Sequence, residues 1–315
     1  MPFHPSKIIL DCATRWPLLG RFLTRFWFTF QSVDKPPHWL LQTLKNRLGM
    51  HFSRRVNIDG FDVVCDPFDG LTRLLIQQGF TEPETRLLFA DEIRPGMTIF
   101  DVGAYIGQFT LVASRQLAGT GRVVAFEPSS AAFALLSENV RRNHLSNVRC
   151  IHAAVSDSTG EATFYLMPAS ADQNSLRPLA GSDAIPVKVA LETIDHVAES
   201  LSLDRIDLIK IDVEGNELFA LRGARSVLRE FRPLLIIEIS HHQFTYGYSG
   251  SEIQSFLEEL GYQTMRIDEN EGLVPYQPSP SEINDVITHF NIVAMHSTQH
   301  GQQAQLITES RVISR

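Results

Sequence analysis

From Met97 onward, short apolar runs alternate with stretches of helical period, and this alternation constrains the fold more than any other feature of the chain. Residues 98–102, 122–126, 148–155, 206–211 and 233–239 read as buried strands, each too short for a helix and bounded by turn residues or charges. Between them, residues 107–117, 129–143 and 217–229 place apolar positions at helical spacing, and another helix spans about 252–260. Strands alternating with helices give right-handed βαβ units, and so an α/β, doubly wound, mostly parallel sheet. Residues 161–166 and 187–191 add β segments around a loop rich in Ser, Asp and Pro. Residues 263–267 and 291–295, with no helix between them, predict an antiparallel hairpin at one edge of the sheet.

The region ahead of this core differs in composition. Residues 1–55 carry Lys7, Arg15, Arg21, Arg25, Lys35, Lys45, Arg47, Arg54 and Arg55 against Asp11 and Asp34, so the acidic residues belong to the rest of the chain. Residues 16–30 mix aromatics with arginines. Such a segment reads either as an interfacial helix in peripheral contact with an anionic membrane or as a helix packed on the main domain, and the packing helix is the commoner arrangement. Residues 56–65 alternate about Asp59-Gly60, a hairpin signal. Helices follow at about 71–79 and 83–93, the second with Thr81 as cap and Pro83 in its first turn. Residues 297–315 are polar and Gln-rich. The expected organisation is an N-terminal helical and β-hairpin extension (1–80), a catalytic α/β domain (81–296) and a mobile tail (297–315).

Composition narrows the partners. A formal net charge of −8 argues against nucleic acid, whose phosphates need a basic surface. The three cysteines, Cys12, Cys65 and Cys150, are scattered and predict reduced thiols in a cytoplasmic protein. They form no pair with metal-ligand spacing, and no metal is assigned. No apolar run approaches the roughly 18 residues that cross a bilayer, and arginines interrupt the early apolar stretch where a secretory signal would lie.

The first strand ends in Asp101-Val102-Gly103-Ala104-Tyr105-Ile106-Gly107, and the second ends in Phe126-Glu127-Pro128. In an open parallel sheet, ligands bind beyond such carboxyl ends where the strand order reverses. Gly103 permits a tight turn and close approach, and Gly107 lets the next helix start against a ligand. A carboxylate at Glu127 can accept from both hydroxyls of a ribose. Asp101 suits a cationic amino group. The glycine spacing is not the G-x-G-x-x-G that admits a pyrophosphate, which disfavours a dinucleotide.

Residues 81–240 resemble the FkbM family of methyltransferases. The matching blocks are Asp101 to Gly107, Ala125-Phe126-Glu127-Pro128, Asn143 to Val148, Ala154-Val155-Ser156-Asp157 and Ile209-Lys210-Ile211-Asp212-Val213-Glu214-Gly215-Asn216-Glu217. Glu82-Pro83-Glu84-Thr85 and Leu221-Arg222-Gly223-Ala224 also match. The resemblance implies a Rossmann-like class I methyltransferase with a seven-stranded sheet and S-adenosyl-L-methionine as cofactor. It also implies methylation of a hydroxyl oxygen, commonly on a sugar, glycan or secondary metabolite. Tyr105 departs from the family pattern, which usually has Asn there; its side chain either points away or narrows the methionine pocket.

On that reading, backbone groups of Gly103, Ala104 and Gly107 surround the methionyl end and Glu127 holds the ribose. Asp157 is a candidate for the adenine amino group, with turn initiation as an equal reading. Asp212 and Glu214 follow the fourth strand, where methyl acceptors sit in this class. One could orient the methionine amine while the other takes the acceptor's proton; a helix N-terminus also favours such acids. Glu217 fits the helix reading better, and Lys210 reads as a strand residue paired with a carboxylate. Glu238 is the lone charge in an apolar strand, so it meets a cation or faces the crevice. His241 and His242 follow it, and His241 is carried forward as a catalytic candidate beside the commoner capping role. His241, His242, Asp212 and Glu238 include metal donors, but nothing in the sequence favours a metal there. The rivals are a NAD-dependent oxidoreductase and a non-catalytic small-molecule-binding protein of the same fold. Acceptor specificity falls to the extension and to residues 167–185, where Ser175 and Arg177 are candidates to reach the crevice that the sequence does not establish.

Overall fold

A computed structural model describes residues 53–66, 69–167, 173–178, 181–268, 272–278 and 289–298. The expectations for segment 16–30, for the rest of residues 1–52 and for tail residues 299–315 fall outside these. Strands β1 (Arg54–Ile58) and β2 (Phe61–Cys65) form the expected hairpin. Asp59 and Gly60 both have positive φ, as its two-residue turn requires. Helix α1 (Gly70–Gln78) is capped by the Asp69 carboxylate, which accepts from the Thr72 N–H at 2.9 Å.

Then come α2 (Pro83–Glu92), β3 (Thr98–Val102), α3 (Gln108–Gln116), β4 (Arg122–Phe126), α4 (Ser130–Arg142) and β5 (Val148–Ile151). Strands β6 (Ala154–Val155), β7 (Gly160–Leu166) and β8 (Ile185–Glu192) make a separate three-stranded sheet ordered β6-β8-β7. The chain continues through α5 (Ile194–Ser200), β9 (Leu208–Ile211), α6 (Glu217–Arg222), α7 (Arg225–Glu230) and β10 (Leu234–Ile239). A 3₁₀ turn (His241–Tyr246), α8 (Gly250–Glu259), β11 (Tyr262–Asp268), β12 (Gly272–Pro275) and β13 (Phe290–His296) complete it.

The main sheet runs β12-β11-β13-β10-β9-β3-β4-β5. Its centre is parallel, and β13 lies antiparallel between β10 and β11. The anticipated strands are present, and β12 adds an eighth at the edge. The chain winds outward from β3 through β4 and β5, then returns to build β9 and β10 on the other side. The crevice of an open α/β sheet is therefore fixed beyond the carboxyl ends of β3 and β9.

Strand alternation gives the sheet two buried faces. Phe100, Ile209, Ile237 and Ala294 share a core with α5, α6, α7 and α8. Ile99, Leu208, Ile236 and Val293 share the other with α2, α3 and the hairpin. Two residues further along that second face, toward the carboxyl ends of the parallel strands, the same rows become Asp101, Lys210, Glu238 and Asn291, all buried. The face thus turns from apolar to ionic in one step of the pleat.

The hairpin is tied to α4 by two asparagines. Asn139 accepts from the Val64 N–H at 2.6 Å and donates to its carbonyl at 3.1 Å. Asn143 does the same with Asp62, at 2.9 and 3.0 Å. Four helical residues rise about 6 Å and two strand residues about 6.8 Å, so side chains four apart on α4 match alternate residues of β2. Asn139 also donates to the Ile106 carbonyl at 2.9 Å, joining hairpin, helix and first crossover turn.

Four local expectations are corrected. Thr81 does not cap α2, because its hydroxyl pairs with Gln108 (2.7 and 3.0 Å) and Glu82 holds the N-cap with φ 52°. The run 148–155 divides, since β6 leaves the main sheet to pair with β8. Helix 217–229 breaks at Gly223–Ala224: a Cβ on Gly223 would lie 2.0 Å from the Ser156 carbonyl oxygen, and Asp195 accepts from the N–H groups of Ser226 and Val227 at 2.9 Å to start α7. Helix α5 and strand β12 were not anticipated. Cys65 and Cys150 carry free thiols. Among the described residues, no helix is long and apolar enough to cross a membrane.

Candidate active site at the switch point

A crevice opens where the topology places it. Gly103, Tyr105, Phe126, Glu127 and Pro128 line one side, and Asp212, Val213, Glu214 and Asn216 line the other. Ala153, Ala154, Val155, Phe164, Asn174 and Leu176 form a third wall, and Leu71 of α1 reaches it as well. It holds about 690 Å³ of space between atoms, part of it open solvent.

The two sides meet at Gly103. Its φ is 84°, and a Cβ there would lie 1.8 Å from the carbonyl oxygen of Asp212, so only glycine lets the two turns touch. Tyr105 shares the left-handed region at φ 52°, a conformation that costs a bulky residue energy and that Asn tolerates better. Tyr105 is a lining residue of the crevice, and it also packs against the core shared with α2, α3 and the hairpin.

Glu127 is 6% exposed and held by backbone: Oε2 accepts from the Tyr105 N–H at 2.9 Å and Oε1 from the Ser129 N–H at 2.7 Å. Burial raises its carboxyl to about 7 against the pull of those two donors. Asp101 lies beneath the Gly103 turn, 1% exposed, and does not line the crevice. One of its oxygens accepts from the Thr110 hydroxyl while Oδ1 has no partner. Ala104 is buried with its N–H on the Phe126 carbonyl, at 2.8 Å. Gly107 starts α3 against Leu136 of α4, whose Cδ1 would lie 2.8 Å from an added Cβ, so its glycine answers to helix packing and not to the crevice. Asp157 is exposed, in the turn before β7, and lies outside the crevice lining.

Across the crevice, Lys210 is 2% exposed, with Nζ 2.8 Å from Asp212 Oδ2 and 4.4 Å above the Phe109 ring. Burial pulls its ammonium down, but Asp212, Glu82 and Asp101 together hold it above its ordinary value. Glu214 and Gly215 both have positive φ, producing a sharp turn. Glu217 braces that turn: Oε1 accepts from the N–H groups of Val213 and Gly215 at 3.1 Å, and Oε2 from Gln243 and Tyr248 at 3.2 Å. Glu217 is thus a structural acid with a more specific task than meeting a helix dipole.

Carboxyl oxygens of Asp212, Glu214 and Glu238 all lie within 4.8 Å of one another. Burial and the neighbouring carboxylates push Glu238 well above the usual carboxylate range. His242 approaches this group, with Nε2 3.6 Å from Glu214 Oε2, and its imidazole is lowered to about 4 by burial and by its histidine neighbours. His241 lies against His242 with ring centres 4.3 Å apart and planes tilted by 50°, one residue away from the contact. Sequence reasoning chose between adjacent histidines, and the 3₁₀ turn decided which faces the acids.

A sheet wound from β3, a glycine turn held under a second turn, and acids facing each other across the switch point define a Rossmann-like methyltransferase architecture. The model of the methyltransferase FkbM domain matches residues 101–264, about half of the chain. The 31-O-demethyl-FK506 methyltransferase FkbM of Streptomyces tacrolimicus is 34% identical over 182 residues, covering 49% of this chain and 69% of that protein. Methyltransferase sdnD of Sordaria araneosa is 28% identical over 199 residues (53% and 74%). The hexuronic acid methyltransferase AglP of Haloferax volcanii is 29% identical over 160 residues, covering 50% of this chain and 62% of that protein. A crystal structure of methyltransferase FkbM from Methylobacillus flagellatus aligns with TM-score 0.41 and 19% identity, over 66% of this chain and 50% of that one. This chain belongs to the FkbM methyltransferase family, and its activity is methyl transfer.

Proposed function

We propose that the protein transfers a methyl group from S-adenosyl-L-methionine to a hydroxyl oxygen of a sugar, glycan or similar polyhydroxylated small molecule. One observation carries this reading: Glu127 and the Asp212–Glu214 pair line the same crevice from opposite sides. The residues fit the cofactor. Each Glu127 oxygen already accepts one backbone N–H and keeps a lone pair for a ribose hydroxyl. Gly103 lines the crevice on the side that a methionyl chain would follow, and Asp212 lines the other side to orient an ammonium. Asp101, with an unpartnered buried oxygen, sets the charge beneath the turn. Asp157 keeps a place in this reading only through the loop it starts.

When bound, the cofactor supplies an electrophilic methyl carbon whose bond to sulfur breaks as the acceptor oxygen bonds to it. The chain's part is alignment, exclusion of water and removal of the hydroxyl proton. Asp212 is engaged by the Lys210 ammonium at 2.8 Å. Glu214 lines the crevice beside the His242 imidazole and takes the proton. An oxygen acceptor is supported by a relative whose name specifies an O-demethyl substrate, and a sugar-like acceptor by one whose name specifies a hexuronic acid.

Calorimetry with S-adenosylhomocysteine and with NAD tests the cofactor. Binding of the first alone is expected, and binding of NAD alone would overturn the reading. Mass spectrometry of uronic acids and polyhydroxylated metabolites incubated with cofactor tests the acceptor. Methylation confined to nitrogen or carbon would overturn the hydroxyl assignment.

A further inference from the structure

We infer that Asp212, Glu214 and Glu238 form a binding site for one divalent cation with hard oxygen preferences, such as Mg²⁺, Mn²⁺ or Ca²⁺, at the acceptor end of the crevice. Three carboxyl oxygens no more than 4.8 Å apart can surround a point about 2.8 Å or less from each, and hard divalent cations bind carboxylates at roughly 2.0–2.6 Å. The site therefore closes on such an ion with side-chain shifts of a fraction of an ångström.

Crowded acids alone would not define a site; two buried polar atoms without partners, one on Glu238 and one on Ser240, do. Glu238 is only 9% exposed, and its Oε2 has no hydrogen-bond partner although it belongs to the three-carboxylate group. Ser240 follows two residues later with extended backbone, which puts its side chain on the same side of the chain as Glu238. It is 7% exposed and its hydroxyl also has no partner. Buried polar atoms are nearly always satisfied, so two orphans on one face beside a carboxylate pair point to a missing ligand. The donors are oxygens without thiolate, and His242 stands 3.6 Å behind Glu214, as a supporting group would.

Its role rests on the reading of this crevice as the acceptor site. A cation there would take the acceptor hydroxyl as a ligand and lower its pKa, while the second Glu214 oxygen receives the proton. Binding itself requires no methyl transfer and can be measured separately.

Electron paramagnetic resonance of free Mn²⁺, titrated with the full chain, reads the site directly. One Mn²⁺ per chain should be taken up with a submillimolar dissociation constant and displaced by excess Mg²⁺ or Ca²⁺. Glu238→Gln and Asp212→Asn should each weaken uptake by about tenfold or more. Glu230→Gln, on the exposed end of α7, should leave it unchanged. Mn²⁺ that stays free at these concentrations overturns the proposal, as does equal uptake by wild type and both crevice variants. Calorimetry with S-adenosylhomocysteine on the same preparation separates the two readings. Cofactor bound without Mn²⁺ uptake removes only the metal site, and Mn²⁺ taken up without cofactor binding removes only the methyl-transfer mechanism.

Discussion

The two ends of the crevice treat their acids in opposite ways. At the β3–β4 end, Glu127 is gripped by two backbone N–H groups, and the turn beside it is set by glycine contacts. At the β9–β10 end, Asp212, Glu214 and Glu238 face one another through side chains, and Glu238 keeps an unsatisfied oxygen. A backbone-held carboxylate has one geometry, which suits a cofactor that is always the same. Side-chain carboxylates answer to whatever enters among them, which suits an acceptor and the proton it must lose.

The largest test of this contrast is Glu214→Gln. If the acceptor end does the proton chemistry, kcat should fall about 10²–10⁴-fold while S-adenosylhomocysteine affinity by calorimetry stays within a factor of two or so. An equal loss in both would merge the two ends. Gly103→Ala strikes where they touch. An added Cβ 1.8 Å from a carbonyl oxygen, at positive φ, should destabilise the fold by about 3 kcal/mol or more. A thermal or urea melt close to that of wild type would show that the turns are not interlocked.

Glu127→Gln should weaken S-adenosylhomocysteine by about 10–100-fold, the loss expected of a charge-assisted contact. Its pH dependence sharpens the point. The carboxyl of the free protein titrates near 7, and ribose hydroxyls donate to the ionised form, so affinity should drop as pH falls from 8 to 6. The variant should show a flat profile. For stability the sign is reversed. A carboxyl raised by burial favours the folded state at low pH, and that contribution fades as pH rises from about 4.5 toward 7. The smallest effect is expected from Tyr105→Asn, which should stabilise the fold by about 0.5–1 kcal/mol by relieving a left-handed bulky residue.

The fold was legible wherever periodicity alone sets structure. Strands β3 and β4 fall at the residues where the apolar runs do, because continuous burial leaves no other pattern. What escaped was set by contacts distant in sequence. Nothing in residues 217–229 announces that Gly223 packs on the Ser156 carbonyl and breaks the helix. Nothing near Thr81 announces Gln108, 27 residues on. The acids of the site were legible as acids at strand ends. Their division of labour was legible only in part: Lys210 read as the partner of a carboxylate, but nothing named Asp212 as that carboxylate or showed that His242 rather than His241 turns inward. Lys210 did leave a trace, as a charge in an apolar strand two residues before an Asp. The third wall, with Asn174 and Leu176, came from a loop that carries no periodicity to read.

The asparagine clasp on β2 has a consequence for how this molecule keeps its own company. A two-stranded ribbon leaves an outer edge whose free N–H and C=O groups invite another chain to add a strand. Here Asn139 and Asn143 imitate that visitor residue for residue, each filling one donor and one acceptor. At Asp62 and Val64 that edge is already paired by two side-chain amides, so a strand adding there would have to displace them.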